Sequence, residues 1–337
     1  MLNFFVTRIF MMLDYVFFFP FVKMKVKKSI FIIASPRTAT TFLFHKLAEQ
    51  TDKMTAMKLW EIAYAPSIIQ KYMVIGIMKI DRIFGHPVKI FLLYVTGKMF
   101  KRYDQIHVIG LNLPEEDEAI LLFRMSSVYL NFFYPDTKYF DDYFLFDDNI
   151  RDAKRKRITK FYFRCVQRHN YVFNRNGEKY FLSKNPAFMS KVKSLHDFFP
   201  DAVFLNINRT PAKTIPSTIN LSNTVYSFFT SRKPSDEINE RTKRVVIEWY
   251  KMAHKYLLEY FPDSTVQIDF RKLVKNDPET MNKICEPIGI DPSIFNETEE
   301  AKKSESGHKT KSNYPTLGDA ELEEVLAELP FLREYCE

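Results

Sequence analysis

Residues 29–50 have the sequence SIFIIASPRTATTFLFHKLAEQ, which predicts a strand, a loop and a helix in that order. The run SIFIIA is short, apolar and rich in β-branched residues, as is typical of a strand buried in a parallel sheet. Thr40 to Gln50 predict a helix. The loop between them, SPRTATT at Ser35–Thr41, directs backbone N–H groups and a helix N-terminus at one point, which predicts an anion site.

Side chains of the same loop add hydrogen-bond donors to the predicted anion site. Arg37 has the planar guanidinium that suits phosphate and sulfate oxygens, and Thr38, Thr40 and Thr41 have hydroxyl groups. The loop is not a Walker A loop, because GxxxxGK[ST] is absent and no lysine precedes the threonines.

The remaining chain alternates predicted strands with predicted helices, which favours an α/β fold with a P-loop-like central parallel sheet and helices on both faces. Residues 60–175 differ, because they are helix-like, aromatic and basic, and we interpret them as a helical cap inserted over the sheet. One further predicted strand ends at 181–183, and two others cover 202–208 and 265–270. The predicted helices cover 187–198, 237–260 and 278–286, and another begins at residue 211.

Composition limits the class of protein. The chain has 337 residues and 46% hydrophobic residues, enough for one large α/β domain. With 33 Phe and 8 Gly, it is unlike collagen and unlike many-turn all-β proteins. The three cysteines are far apart and give no disulfide framework or CxxC metal pair, which fits a reducing compartment. The net charge of +8 suggests an anionic partner or a solvated lysine surface.

The amino terminus, NFFVTRIFMMLDYVFFFPFV at residues 3–22, is strongly apolar but contains Arg8, Asp14 and Pro20. These residues argue against a secretory signal peptide and against a spanning helix. Three placements of this segment stay open: it packs on the domain, it contacts a membrane peripherally through residues 1–28, or it spans the membrane. Each of them leaves the body of the chain in the cytoplasm, either free or on the inner membrane face. We therefore expect an apolar and basic helix at 1–28 and a single domain at 29–330. The basic residues that follow the apolar run are Lys23, Lys25, Lys27 and Lys28.

A second basic run lies on a predicted helix. We interpret it as a solvated helix face, with anionic lipid head groups as the alternative, and expect no nucleic acid partner because no motif that reads DNA or RNA accompanies it. Its members are Arg151, Lys154, Arg155, Lys156, Arg157, Lys160, Arg164 and Arg168.

Two elements together carry a resemblance to a known family. PRTATT at 36–41 resembles the 5′-phosphosulfate loop of sulfotransferases, usually PRSGTT or PRTGTT. Ala39 replaces the glycine, and alanine fits there only if the position does not need a positive φ. FFPDAVFLNINRTPAKTIPSTINL at 198–221 resembles the 3′-phosphate element, in which an Arg and a Ser eight residues later hold the nucleotide; Arg209 and Ser217 have that spacing. The chain is identified as a member of the bacterial and Golgi-like branch.

Further stretches are similar to other elements of that branch, so the resemblance runs in order from about residue 29 to 330. It implies that Lys184 lies near the transferring sulfuryl group and that His308 belongs to the part that closes over the nucleotide. These stretches are LPEEDEAILLF (113–123), FLSKNP (181–186), FRKLVKNDPET (270–280) and SGHKTKSNYPTLG (306–318).

The resemblance implies transfer of a sulfuryl group from 3′-phosphoadenylyl sulfate (PAPS) to an acceptor hydroxyl or amine, without a metal. Lys184 and the loop would stabilise the charge that develops on the sulfuryl and bridging oxygens. The donor-binding residues would be Ser35, Arg37, Thr38, Ala39, Thr40, Thr41, Arg209 and Ser217.

The general base is not decided by the resemblance. Cytosolic sulfotransferases have a histidine two residues after the lysine of a KTH motif, and this chain has Lys184-Asn185-Pro186 there. Glu61 lies at nearly the offset at which tyrosylprotein sulfotransferases place their catalytic Glu, and a raised pKa would suit it for the role. His107 and His308 are the other candidates. Glu115, Glu116 and Asp117 are expected to cap a helix.

We expect the acceptor to be a small molecule, an apolar alcohol such as a lipid or sterol-like compound, because the cap and the amino terminus are rich in Phe and Met. The alternatives are a carbohydrate or peptide hydroxyl, a kinase with a degenerate P-loop, and a membrane-associated module without activity. A kinase would need a Mg²⁺ ligand and a Walker-type lysine, and it would leave Arg209 and Ser217 unexplained.

Overall fold

A five-stranded parallel sheet lies at the centre of the computed structural model, which describes residues 2–100, 110–230, 232–296 and 316–336. The strands are β1 (Ser29–Ile33), β2 (Met54–Thr55), β3 (Tyr180–Lys184), β4 (Ala202–Asn208) and β5 (Thr265–Asp269). Their order across the sheet is β2-β3-β1-β4-β5, and each pairing is parallel. The predicted α/β fold with a central parallel sheet is confirmed.

Helices surround the sheet and fill the connections between its strands. Short 3₁₀ helices occur as well, among them Phe19–Lys23 and Asp117–Arg124. The α-helices are α1 (Leu2–Phe17), α2 (Thr40–Ala48), α3 (Leu59–Ala63), α4 (Ile68–Ile83), α5 (Pro87–Phe100), α6 (Leu130–Phe133), α7 (Phe146–Asn149), α8 (Asp152–Phe173), α9 (Val192–Phe198), α10 (Pro211–Thr230), α11 (Asp236–His254), α12 (Phe270–Leu273), α13 (Pro278–Cys285) and α14 (Asp319–Glu328).

Both faces of the sheet are covered, as predicted. Side chains alternate along a strand, so Phe31 and Ile33 of β1 enter one core while Ile30 and Ile32 enter the other. The first core is closed by helices that include α8, α9 and α11, and the second by α2 and α13. The buried residues of β1 explain why its sequence is continuously apolar rather than alternating.

The carboxyl ends of the central strands lie at one edge of the sheet. β1 lies between β3 and β4, and its residue Ile32 is in register with Lys184, while Ile33 is in register with Asn206. The loop after β1, Lys184 at the end of β3 and Arg209 just after β4 therefore emerge side by side. Ligands of open α/β sheets bind at this edge.

The connection from β2 to β3 contains α3 to α8 and is the helical insertion that the sequence predicts over residues 60–175. The limits of this cap, and the division of the chain at residues 28 and 29, stay predictions. β2 was not predicted, because two residues are too few to show a strand periodicity.

Buried hydrogen bonds fasten the amino-terminal helix α1 to the domain. The Asp14 carboxylate accepts from the backbone N–H groups of Ile68 and Ile69 at 3.1 and 3.2 Å and pairs with Arg168 at 2.7 Å. Arg8 donates to the backbone oxygen of Phe123. Both charges that interrupt this apolar segment thus have structural partners. Within the described ranges, we find no helix with the length and apolar character needed to cross a bilayer.

The expectation that the basic run on α8 is a solvated helix face is wrong for three of its residues. Arg155, Arg164 and Arg168 do not belong to a solvated face: Arg155 is buried beside Asp147, Arg164 donates to the backbone oxygen of Val22, and Arg168 is buried against α1. They fix the cap and the amino-terminal segment in place. The members of the run that are exposed are Arg151, Lys156, Arg157 and Lys160.

Candidate active site

The loop between β1 and α2 has an unusual backbone. Arg37 has a φ of 67° and Ala39 has a φ of 62°, so both residues are in the left-handed region. The buried Thr38 hydroxyl donates to the backbone oxygen of Ser35 at 2.7 Å and ties the loop onto itself. The condition under which alanine fits without strain at position 39 is therefore not met, and Ala39 adopts a conformation that glycine adopts freely.

The structure brings the two sequence elements of the resemblance into direct contact. Arg37 Nε donates to the hydroxyl of Ser217 at 3.3 Å, and the guanidinium of Arg209 donates to the backbone oxygen of Arg37. Arg209 also lies 4.1 Å above the ring of Phe270, which fixes the plane of its guanidinium. These contacts join residues about 180 positions apart in the chain.

The charges at this junction are not neutralised by acids. Among the residues described, neither Arg37 nor Arg209 forms an ion pair with a carboxylate, and Arg209 Nε is buried without a hydrogen-bond partner. Burial, together with the charge of Arg37, lowers the pKa of Arg209. Two guanidinium groups and a hydroxyl with unused donors form a site that suits an anion.

Lys184 ends β3 and is 3% exposed. Its Nζ donates to Glu116 Oε1 at 2.7 Å, and the other oxygen of Glu116 accepts a short hydrogen bond from the hydroxyl of Tyr129. Asn185 donates to the same hydroxyl at 3.4 Å. The Glu116 side chain is 28% exposed, so the buried ammonium of Lys184 is paired with a carboxylate that is itself partly in contact with solvent.

The residues after Glu116 hold the cap to the sheet. Asp117 accepts hydrogen bonds from Ser183 of β3 and from Tyr162 of α8, at 2.8 and 2.6 Å. Burial raises the pKa of Asp117 to about 7, against the lowering effect of these two bonds. Glu118 is fully buried and pairs with Lys191 at 3.1 Å, and burial raises the pKa of its carboxyl.

The expectation that Glu115, Glu116 and Asp117 cap a helix holds only in part. Asp117 lies in the first turn of the 3₁₀ helix Asp117–Arg124, and the Glu115 carboxylate accepts from the backbone N–H of Glu116 at 3.2 Å. Glu116 does precede the 3₁₀ helix Asp117–Arg124, but its side chain makes no capping hydrogen bond. The LPEEDE stretch instead supplies carboxylates to Lys184, to the end of β3 and to Lys191. Glu116, for which the sequence interpretation predicted only a capping role, and Tyr129, which it missed, are thus further candidate residues. The acidic stretch was a signal for Glu116 alone.

Glu61 lies in a different environment from the one expected. Its side chain is buried in α3, where Oε2 lies 2.8 Å from His169 Nδ1 and 3.6 Å from Lys71 Nζ. Burial pushes the pKa of Glu61 upward, but the charge and hydrogen bond of His169 and the charge of Lys71 outweigh it. The pKa is lowered, so the raised pKa expected for a base at this position is wrong. These contacts join α3 to α8 and α4, and a catalytic part for Glu61 stays a prediction.

The two histidine candidates, His107 and His308, lie outside the described residues. Of the other predicted site residues, Thr40 and Thr41 begin α2 beside Ala39. In the part of the chain that the structure describes, no group of three or more His, Cys, Asp or Glu side chains could hold a metal ion.

Comparison with known proteins agrees with this geometry. Omega-hydroxy-beta-dihydromenaquinone-9 sulfotransferase Stf3, from Mycobacterium bovis and from Mycobacterium tuberculosis, is 22% identical to the chain over 184 residues. The match covers 54% of this chain and 46% of that protein, so the chain spans about half the length of the curated relatives it matches.

Two solved structures share the fold. Sulfotransferase STF9 from Mycobacterium avium has a TM-score of 0.70 at 16% identity, with 95% of this chain and 80% of that chain covered. Sulfotransferase STF1 from Mycobacterium tuberculosis has a TM-score of 0.65 at 16% identity, with 98% and 84% covered.

A protein-family model matches most of the chain. The model described as "Sulfotransferase family" matches residues 29–293, from the first residue of β1 to a position beyond β5. This range includes the loop after β1, Lys184, and the junction of Arg37 with Arg209 and Ser217. The chain belongs to the sulfotransferase family.

Proposed function

We propose that the chain transfers the sulfuryl group of PAPS to the hydroxyl group of an apolar alcohol. The observation that carries the donor half is the junction at which Arg37 bonds Ser217 and Arg209 bonds the backbone of Arg37. PAPS carries a phosphosulfate on its 5′ side and a phosphate on its 3′ side. A site with two adjacent guanidinium groups on different strand ends matches two such anionic groups.

The loop after β1 would hold the 5′-phosphosulfate. Its left-handed residues Arg37 and Ala39 lead directly into α2, and the N-terminus of a helix favours negative charge. Arg209 and Ser217 would hold the 3′-phosphate, with the unpartnered Nε of Arg209 as one donor. The donor-binding set in this proposal is the predicted one: Ser35, Arg37, Thr38, Ala39, Thr40, Thr41, Arg209 and Ser217.

Lys184 would stabilise the charge of the reacting group. In the reaction, a bond forms between the acceptor oxygen and sulfur, and the bond between sulfur and the bridging phosphate oxygen breaks. The phosphate leaves with the bonding electrons, so negative charge grows on that oxygen. An ammonium held in a buried position at the end of β3 stabilises this charge without reorganisation.

We place the general base at Glu116. Its carboxylate is bound to Lys184 and Tyr129 and is partly open to solvent, where an acceptor can reach it. An ionised carboxylate is a proton acceptor, so Glu116 would take the proton of the acceptor hydroxyl during transfer. Glu61 has no comparable opening, because it is buried among its own partners.

The acceptor assignment rests on composition and on a relative. The curated relative is named for an omega-hydroxy menaquinone, which is a hydroxyl group on an apolar molecule. The chain itself has 33 Phe and 13 Met. We also propose that it works on the cytoplasmic face of the inner membrane, with peripheral contact through residues 1–28, whose lysines 23, 25, 27 and 28 are exposed.

The test is transfer of labelled sulfate from PAPS in metal-free buffer to separate pools of long-chain alcohols, sterols, phenols, sugars and tyrosyl peptides. Labelled product in the alcohol or sterol pool is the expected result. Product only with sugars or peptides would keep the donor and overturn the acceptor. Transfer from ATP instead of PAPS, dependent on Mg²⁺, would overturn the donor.

A further inference from the structure

A pair of helices in the cap, α4 and α5, forms a hairpin that projects an apolar surface. A tight turn joins them, in which Gly85 has a φ of 79° and His86 a φ of 66°. The buried carboxylate of Asp81 accepts from the backbone N–H groups of Val88 and Lys89 and so caps the start of α5. The hairpin therefore has defined internal hydrogen bonds, and its outward surface is a fixed feature of the fold.

The outward face of α4 is apolar along its length. Met73, Ile77, Ile80 and Phe84 follow one another at intervals of four, three and four residues, so they form one stripe, and each is exposed. Among the apolar side chains of residues 68–96, Ile83 is the most exposed, at 79%. The opposite side of α4 faces the domain, where Lys71 is buried.

Over residues 87–95, helix α5 has no polar face. Each residue from Pro87 to Val95 is exposed, and the only charged residue among them is Lys89. An apolar helix is stable in a protein when apolar surroundings cover it on most sides. Exposed apolar surfaces as extended as this one mark contact sites for other proteins or for membranes. The exposed apolar residues of α5 include Val88, Ile90, Phe91, Leu92, Leu93 and Val95.

The charged residues of the hairpin favour a membrane over another protein as the partner of this surface. Within residues 72–96, the exposed charged residues are Lys79, Arg82 and Lys89, all basic, and the one acid, Asp81, is buried as the cap of α5. Basic side chains beside an apolar surface are the pattern of helices that lie on anionic lipid. A second copy of the chain is disfavoured, because a two-fold interface would bring these same basic residues together.

The neighbouring elements continue the pattern. α1 packs on the start of α4 through Asp14, and its exposed residues Met12 and Val16 add apolar area. The segment after α1 is held to α8 by the bond from Arg164 to the backbone oxygen of Val22, and the lysines that follow Val22 are exposed.

We propose that the outer surface of the α4–α5 hairpin, residues 73–95, lies in the interfacial layer of an anionic phospholipid bilayer. The hairpin lies on the bilayer and does not cross it, since its helices are shorter than a span requires. This surface enlarges the membrane contact proposed for residues 1–28, and it depends neither on the sulfuryl donor nor on the acceptor. It would bring the edge of the cap to the place where an apolar alcohol dissolves.

The experiment is co-sedimentation of the full chain with vesicles of phosphatidylcholine alone and of phosphatidylcholine and phosphatidylglycerol at a ratio of about 7:3. The test variant is Ile83→Glu with Phe91→Glu, and both positions are exposed, so folding is retained. The matched control is Tyr139→Glu, which changes an aromatic residue that is 82% exposed and outside the hairpin.

The wild type is expected to bind the anionic vesicles, and the double variant to bind them at least about tenfold more weakly, because two apolar side chains no longer enter the interface. The Tyr139 variant should bind like the wild type. Equal binding by wild type and double variant would overturn the proposal. A wild-type dimer that the double variant converts to a monomer, without vesicle binding, would assign the surface to a second copy instead.

Sulfation of a water-miscible alcohol by the same variants keeps the two proposals apart. The double variant should transfer sulfate to this acceptor at the wild-type rate, because neither residue belongs to the proposed donor or base set. Vesicle binding without any transfer would overturn the proposed function and leave the membrane surface standing, and transfer without vesicle binding would do the reverse.

Discussion

Replacing Glu116 by Gln removes one negative charge from the pair with Lys184 and keeps a hydrogen-bond acceptor in place. Coulomb's law at an effective dielectric constant of about 20 gives about 6 kcal/mol for charges at the observed separation of 2.7 Å. Glu116 is partly solvated, so the net loss of stability is about half of this value, about 3 kcal/mol. In a chain of this size, that loss lowers the melting temperature by about 4 °C.

The effects on binding and turnover are expected to have opposite signs. Loss of the base should lower kcat by a factor of about 10² to 10⁴. The Lys184 ammonium, freed from its carboxylate, should bind the desulfated nucleotide, adenosine 3′,5′-bisphosphate, as tightly as in the wild type or more tightly. A residue with only a structural role would weaken both. Titration calorimetry measures the binding, and labelled-sulfate transfer measures kcat.

Glu115→Gln is the control, since it makes the same chemical change one residue earlier. It should leave kcat within about threefold of the wild type. A kcat of Glu116→Gln within the same range would refute the assignment of Glu116 as the base, and weaker nucleotide binding by that variant would refute the account of Lys184.

Three further predictions follow from the packing. Ala39→Gly should raise the melting temperature by about 1 °C, because the relief of left-handed strain exceeds the added entropy of the unfolded chain, and calorimetry showing a fall would contradict this. Glu61→Gln should lower the melting temperature by about 5 °C through the broken buried pair with His169 and Lys71 while kcat changes by less than about threefold; a loss of kcat without destabilisation would restore Glu61 as the base. Asp117→Asn should remove a pH dependence of the folding stability. The pKa of Asp117 is about 7 in the folded chain and 3.8 in the unfolded chain, so the stability that its protonated carboxyl contributes is full below pH 3.8 and is lost as the pH rises to about 7. Wild-type stability should therefore fall relative to the variant over this range in pH-dependent denaturation, and parallel curves would contradict the shift.

The sheet and the donor loop were predictable because their signals are local. A continuous apolar run followed by PRTATT predicts β1, the loop and α2 at nearly their observed limits, since burial on both faces removes the alternation of a strand. The strand Ala202–Asn208 was predicted at its observed bounds. The spacing of Arg209 and Ser217 indicated the second element, although only the structure shows that it touches Arg37.

Contacts between distant segments were not predictable in the same way. A carboxylate at the start of a 3₁₀ helix has the sequence of a cap, and nothing local indicates that Glu116 pairs with Lys184, 68 residues later. The pKa of Glu61 depends on His169, 108 residues away. The positive φ of Ala39 is a consequence of the loop geometry; alanine itself gives no signal of it, whereas the glycine usual in the loops that it resembles does.

One measurement tests the central claim, that the ends of β1 and β4 bind one nucleotide with anionic groups on both its 5′ and 3′ sides. Titration calorimetry would compare adenosine 3′,5′-bisphosphate with adenosine 5′-monophosphate, in wild type and in Arg209→Ala. The 3′-phosphate should strengthen wild-type binding by about 10- to 100-fold, and this gain should disappear in Arg209→Ala, while both proteins bind the monophosphate alike. An equal gain in both proteins would contradict the assignment of Arg209 to the 3′-phosphate and with it the account of the site.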